Sequence, residues 1–191
     1  MKTYINTLDY KEFAEIVDSH DELKNKAYEW ATETAWEFVQ YDYLRKIPQG
    51  VKWGIDAWDN IYISIPPYYI GRDTVRDIIR YFEQLRHEYC VFGQGEEFDA
   101  TIEKMTRYNE VLSDDDYSVI NMKDKDYNYC VKFLNSNIEK FFDEIITICN
   151  DEIEYARTRF IEEAWESDWF DDYYLDDNGD LYERRIDRKI A

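Results

Sequence analysis

The sequence predicts an α+β fold, mostly helical, forming one domain with short antiparallel β-hairpins. Three observations carry that expectation. Apolar residues recur every three or four positions through most of the 191-residue chain, the pattern of amphipathic helices. In three places, Val51 to Ile65, Tyr117 to Phe133 and Tyr173 to Arg185, the period shortens to two, as in half-buried strands. Six glycines and three prolines are too few for an all-β design with many tight turns. A core is well supplied, because 45% of residues are hydrophobic and 18% aromatic, whereas disordered chains lack aromatics. Residues 1–191 are therefore expected to form a single acidic α+β domain, with 168–191 a candidate C-terminal hairpin or tail appendage.

Taken in order, Asp9 to Val17 predicts a short helix. Ser19-His-Asp-Glu22 fits a capping box, and Leu23, Ala27, Trp30, Thr34, Phe38 and Tyr41 then continue an apolar face to about Leu44. Pro48 and Gly50 close that helix. Val51, Trp53 and Ile55 alternate, as do Ile61, Ile63 and Ile65 beyond Asp59-Asn60, and this pattern predicts a hairpin ended by Pro66-Pro67. Asp73 or Thr74 is expected to cap a helix carrying Val75, Ile78, Ile79, Phe82, Leu85 and Tyr89. After Gly93 and Gly95, another helix is expected from Glu96 to Leu112. Tyr117 to Asn121 and Tyr127 to Phe133 predict a second hairpin. Ser136-Asn-Ile-Glu139 is a further capping box, opening a strong helical pattern from Ile138 to Ala164 in which Asn150-Asp151 is a candidate interruption. Last, Tyr173 to Leu175 and Leu181 to Arg185 flank Asn178-Gly179, a favoured hairpin turn.

Several function classes lose support at this level. Met1 to Asp18 holds no signal-like apolar run, and no stretch approaches the roughly 20 apolar residues of a membrane span. A soluble cytoplasmic protein is expected. Cys90, Cys130 and Cys149 are odd in number and far apart, so reduced and mostly buried thiols are expected rather than a disulfide framework. Asp176, Asn178, Gly179 and Asp180 resemble part of a calcium loop. Placing Gly179 sixth, however, puts Tyr174 first and Arg185 twelfth, where carboxylates are required. His87 and Cys90 stand one helical turn apart and no second close pair completes a zinc site. No nucleophile elbow, phosphate loop or dinucleotide fingerprint is present. A metal-dependent nuclease, with Asp114, Asp115 and Asp116 as its carboxylates, remains an alternative because it needs few residues. Arg72, Arg76 and Arg80 form a stripe that could bind phosphate, or that Asp73, Asp77, Glu83 or the acidic C-terminal helix could neutralise.

Charge is the leading functional signal. The formal net charge is -20. Glu96 to Asp116 holds 8 acids and 2 bases, and Asp143 to Asp180 holds 14 acids and 2 bases, so these stretches account for -18 of the total. The tail from Leu181 reverses sign. In the larger stretch, Glu162, Glu163, Glu166, Asp168, Asp171, Asp172, Asp176, Asp177 and Asp180 are interleaved with Trp165, Trp169, Phe170, Tyr173 and Tyr174. Were that stretch one continuous helix, rising roughly 1.5 Å per residue, its acids would fall about 4 Å apart, close to the roughly 3.4 Å phosphate spacing of one nucleic-acid strand. Aromatics of this kind serve as interface anchors, although they could equally cover the end of a core.

In composition, though not in any aligned motif, these two stretches resemble the small acidic DNA-mimic inhibitors of phages and mobile elements, including anti-restriction and anti-CRISPR proteins. The resemblance implies a stoichiometric, non-enzymatic blocker of a host nuclease's nucleic-acid channel. Such a blocker needs no cofactor or metal and touches neither nucleic acid nor membrane directly. The expected partner surface comprises Glu162, Glu163, Glu166, Asp168, Trp169, Asp171, Asp172, Tyr173, Tyr174, Asp176, Asp177 and Asp180, with Asp114, Asp115 and Asp116. An interaction protein for a basic partner unrelated to nucleic acid is the other alternative.

Overall fold

A computed structural model of the chain describes residues 3–57, 60–64, 71–93, 95–112, 125–167, 171, 173–175 and 181–183. The fold is mostly helical α+β, as the sequence predicts. In chain order the elements are β1 (Thr3–Tyr4), α1 (Tyr10–Ser19), α2 (Asp21–Asp42), β2 (Lys52–Ile55), β3 (Ile61–Ser64), α3 (Arg72–Tyr89), α4 (Glu96–Val111), α5 (Lys125–Thr158), α6 (Phe160–Glu166), β4 (Tyr173–Leu175) and β5 (Leu181–Glu183). They gather into two compact units: residues 1–37 with 152–191, and residues 38–151. Both α2 and α5 contribute residues to each unit.

In the first unit, strands pair in the order β1-β4-β5, all antiparallel, with Thr3 opposite Leu175 and Tyr174 opposite Tyr182. The terminal hairpin is thus present in its strands, while its Asp177-Asn178-Gly179 turn lies outside the described residues. Ile5, Phe13, Val17, Leu23, Ala27 and Ala164 are fully buried together, with Trp30, Phe160, Trp165 and Tyr173 packed against them. Asp9 starts α1 through a complete capping box: its Oδ1 accepts from Glu12 N (2.9 Å), and Glu12 Oε2 accepts from Asp9 N (3.1 Å).

The second unit holds the β2–β3 hairpin, with Trp53 opposite Ile63 and Ile55 opposite Ile61. Asp56 closes it, since Asn60 N donates to Asp56 Oδ1 (2.9 Å) and Asp56 N to Asn60 O (2.9 Å). Around Phe82, which is fully buried, α3, α4 and α5 contribute a cluster of rings that includes Tyr81, Phe98, Phe141 and Phe142, joined by Phe92. Phe92 takes φ 65°, a left-handed conformation costly to a bulky residue. Stacking on Phe98 (5.1 Å) and packing on Phe141 (4.9 Å) hold it there.

Six local expectations are corrected. Tyr127 to Phe133 is helix, not strand. Its alternation is overridden because Cys130, Val131, Leu134, Ile138 and Phe141 are buried at helical spacing while Tyr129 is exposed; Tyr117 to Asn121 lies outside the described residues. Ser19 does not cap α2. It is the last residue of α1, and its Oγ donates back to Ile16 O (3.0 Å). Ser136 is interior to α5, where the backbone amides already have helical partners. Neither Asp73 nor Thr74 caps α3, which begins at Arg72 behind Gly71; Asp73 pairs with Arg76 instead. Asn150-Asp151 does not interrupt α5. Asn150 Oδ1 accepts from Ile61 N (3.4 Å), and the helical course breaks at Arg159. The first long helix also stops at Asp42, with Leu44–Lys46 forming a 3-10 turn.

Candidate functional site

The expected spacing of acids along one rod is not realised. The stretch from Asp143 to Asp180 passes through α5, the break at Arg159, α6 and then β4, so its carboxylates do not lie on a single axis. It also divides between the two units after Asp151. Helical periodicity still places its acids off the apolar face: Asp143, Asp151, Glu152, Glu154 and Glu166 are exposed, as are Glu96, Glu97, Asp99, Glu103 and Glu110 on α4.

Among the expected partner residues, Glu162 and Glu163 are half-buried on the first turn of α6, and Glu166 and Asp171 are exposed. Tyr173 and Tyr174 are half-buried on β4. Their rings are already engaged. Tyr174 stacks on Tyr182 (5.4 Å) and meets Tyr4 (5.8 Å), while the Lys26 ammonium lies over Tyr173 (5.2 Å). Trp165 packs on Phe13 (5.5 Å) and Tyr10 (5.8 Å) as part of the core. Asp114, Asp115, Asp116, Asp168, Trp169, Asp172, Asp176, Asp177 and Asp180 lie outside the described residues.

Tertiary structure adds a group of acids that the local reading missed. Residues 1–37 share a unit with the C-terminal segment, and their nine acids, Asp9, Glu12, Glu15, Asp18, Asp21, Glu22, Glu29, Glu33 and Glu37, are all exposed. The first unit therefore carries 22 acids against 10 bases, net -12, and the second 21 against 13, net -8. Pairing of β1 with β4 was the missing signal, and a two-residue strand leaves almost no trace in sequence.

Arg159 stands at the break that leads into α6. Its guanidinium lies over the Tyr155 ring (4.9 Å), donates to the Tyr155 hydroxyl, and pairs with Glu162, which holds it protonated above its ordinary value.

In the second unit a cleft of about 690 Å³ opens between α3 and α4. Arg86 bridges the helices there by pairing with Asp99 and lying over Phe98 (4.9 Å). His87 and Cys90 line the same cleft. Cys90 is an exposed free thiol, whereas Cys130 and Cys149 are buried, in keeping with the expectation of mostly buried thiols. Among the described residues, no three His, Cys, Asp or Glu side chains stand so as to hold a metal ion. Two of the three arginines of the α3 stripe are neutralised locally, Arg76 by Asp73 (2.9 Å) and Arg80 by Asp77 (3.6 Å).

Among the described residues, no helix is long and apolar enough to cross a membrane. Comparison of the chain with protein-family models, with curated proteins and with solved structures finds no match.

Proposed function

We propose that this chain is a non-enzymatic inhibitor that occupies the basic nucleic-acid-binding groove of a host defence nuclease, presenting an acidic, aromatic-studded surface in place of DNA. One observation carries the reading. The first unit concentrates a net charge of -12 in 77 residues, and the acids of its N-terminal helices are exposed alongside Glu166 and Asp171. Such a surface raises the encounter rate with a basic groove and repels nucleic acid itself. Single-axis phosphate mimicry plays no part, so the match is one of field and area rather than of strand spacing.

The test replaces Glu162, Glu163, Glu166, Asp168, Asp171 and Asp172 by amides and measures inhibition of the purified nuclease, with DNA as competitor. Inhibition should fall at least tenfold while circular dichroism stays unchanged. Undiminished inhibition by that variant would sink the proposal. Binding that DNA does not displace would instead assign the surface to a basic partner unrelated to nucleic acid, and magnesium-dependent cleavage of DNA by the chain alone would assign it to a nuclease.

A further inference from the structure

We infer that the α5–α6 break is an arginine-reading site, which the chain keeps occupied with its own Arg159 until an arginine of the basic partner replaces it. The inference rests on the proposed acidic-surface reading and names the side chain recognised.

The geometry begins with the break itself. Arg159 takes φ -114°, ψ 23°, between two helices, and its backbone still joins both: Arg159 N donates to Tyr155 O (3.0 Å), and Glu163 N donates to Arg159 O (3.0 Å). This places Tyr155 one turn before the arginine and Glu162 one turn after it. A ring and a carboxylate thus flank one guanidinium. That combination favours arginine over lysine, because the planar guanidinium can lie on an aromatic face while its N–H groups fork toward a carboxylate. Thr158 helps fix the wall, with its Oγ1 donating to Tyr155 O (2.9 Å).

Beside the pair opens a groove of about 420 Å³ lined by Tyr10, Thr158, Arg159, Phe160, Ile161 and Glu162. Tyr10 and Tyr155 are both exposed, at 42% and 48%, so each offers a ring to an incoming side chain. Glu163 follows on the same turn of α6. Displacing Arg159 costs little, because exposed ion pairs at i, i+3 spacing are weak and the released guanidinium is rehydrated. An arginine on the partner then meets the same ring and carboxylate, in a unit whose remaining field attracts it.

The test uses the full chain and two dye-labelled peptides, five Arg-Gly repeats and five Lys-Gly repeats, with affinity read by fluorescence anisotropy at low salt. Wild type should prefer the arginine peptide. Arg159→Ala should tighten that peptide by about two- to fivefold, the factor expected for removing one competing exposed pair, and should widen its preference over the lysine peptide. Adding Tyr155→Ala should abolish the gain. Arg159→Gln should reproduce the result if alanine perturbs the break, as checked by circular dichroism. Equal tightening of both peptides, or none, overturns the site and leaves only bulk charge. Loss of inhibition by the six-amide variant, with an unchanged peptide preference in Arg159→Ala, would retain the acidic surface and remove the arginine site. A widened preference with undiminished inhibition would do the reverse.

Discussion

Phe82 shows how much of this fold rests on single side chains. It is fully buried, and its ring meets Phe92, Phe141 and Phe142 at centroid distances of 5.5, 5.1 and 5.0 Å. Phe82→Ala should cost about 3–5 kcal/mol, from lost transfer energy and an unfilled cavity, and should lower the urea midpoint with little change in slope. Lys46 sets a pH dependence. Its ammonium donates to the Tyr89 hydroxyl (3.1 Å) and to Glu88 (3.0 Å), and Tyr89 donates in turn to Asp42 (2.6 Å). The tyrosine first, and then the carboxylate, hold Lys46 protonated above its ordinary value, while Gln84 and then Lys46 hold the Glu88 carboxyl below its own. Stability from Lys46 is therefore fully present below about pH 10.4 and lost as pH rises further; that from Glu88 is present above about pH 4.3 and lost as pH falls. Melting curves against pH should show a flatter alkaline limb in Lys46→Met and a flatter acid limb in Glu88→Gln.

Among the elements, caps separate what local sequence can specify from what it cannot. Ser-x-x-Glu at Ser19 and at Ser136 fits a capping box as well as Asp-x-x-Glu at Asp9 does, yet only Asp9 forms one. Asp9→Ala should cost about 1 kcal/mol and Ser19→Ala less than about 0.5 kcal/mol, as chemical denaturation would show. The helices α3 and α4 and the β2–β3 hairpin were legible because each has a long or clean period bounded by glycine or proline. Tyr127 to Phe133 was not, since seven residues with apolar Tyr127, Tyr129, Cys130, Val131 and Phe133 satisfy both periods until burial decides. β1 was invisible for a different reason: two residues have no period, and their partner Leu175 is far along the chain.

For the whole molecule, charge governs behaviour in solution. A net charge of -20 opposes compaction. Raising sodium chloride from about 10 to about 150 mM shortens the Debye length from about 30 to about 8 Å. The melting temperature of the free chain should therefore rise over that range, while affinity for a basic partner falls. Parallel melting and binding titrations would detect these opposite responses, and a partner held mainly by apolar area would show no loss. Part of the candidate surface was legible here too, because acids placed off an apolar helical face become exposed wherever that face is buried.

The sequence by itself determined the total charge, its unevenness, the helical majority and the exposure of most helix acids, all of which follow from composition and local period. Tertiary structure decided which acids share a unit. It joined the nine exposed acids of residues 1–37 to the C-terminal segment, turned Trp165 and Tyr173 toward a core, and broke the acidic helix at Arg159. These outcomes depend on strand pairing between distant ends and on competition for burial, which no window of neighbouring residues contains.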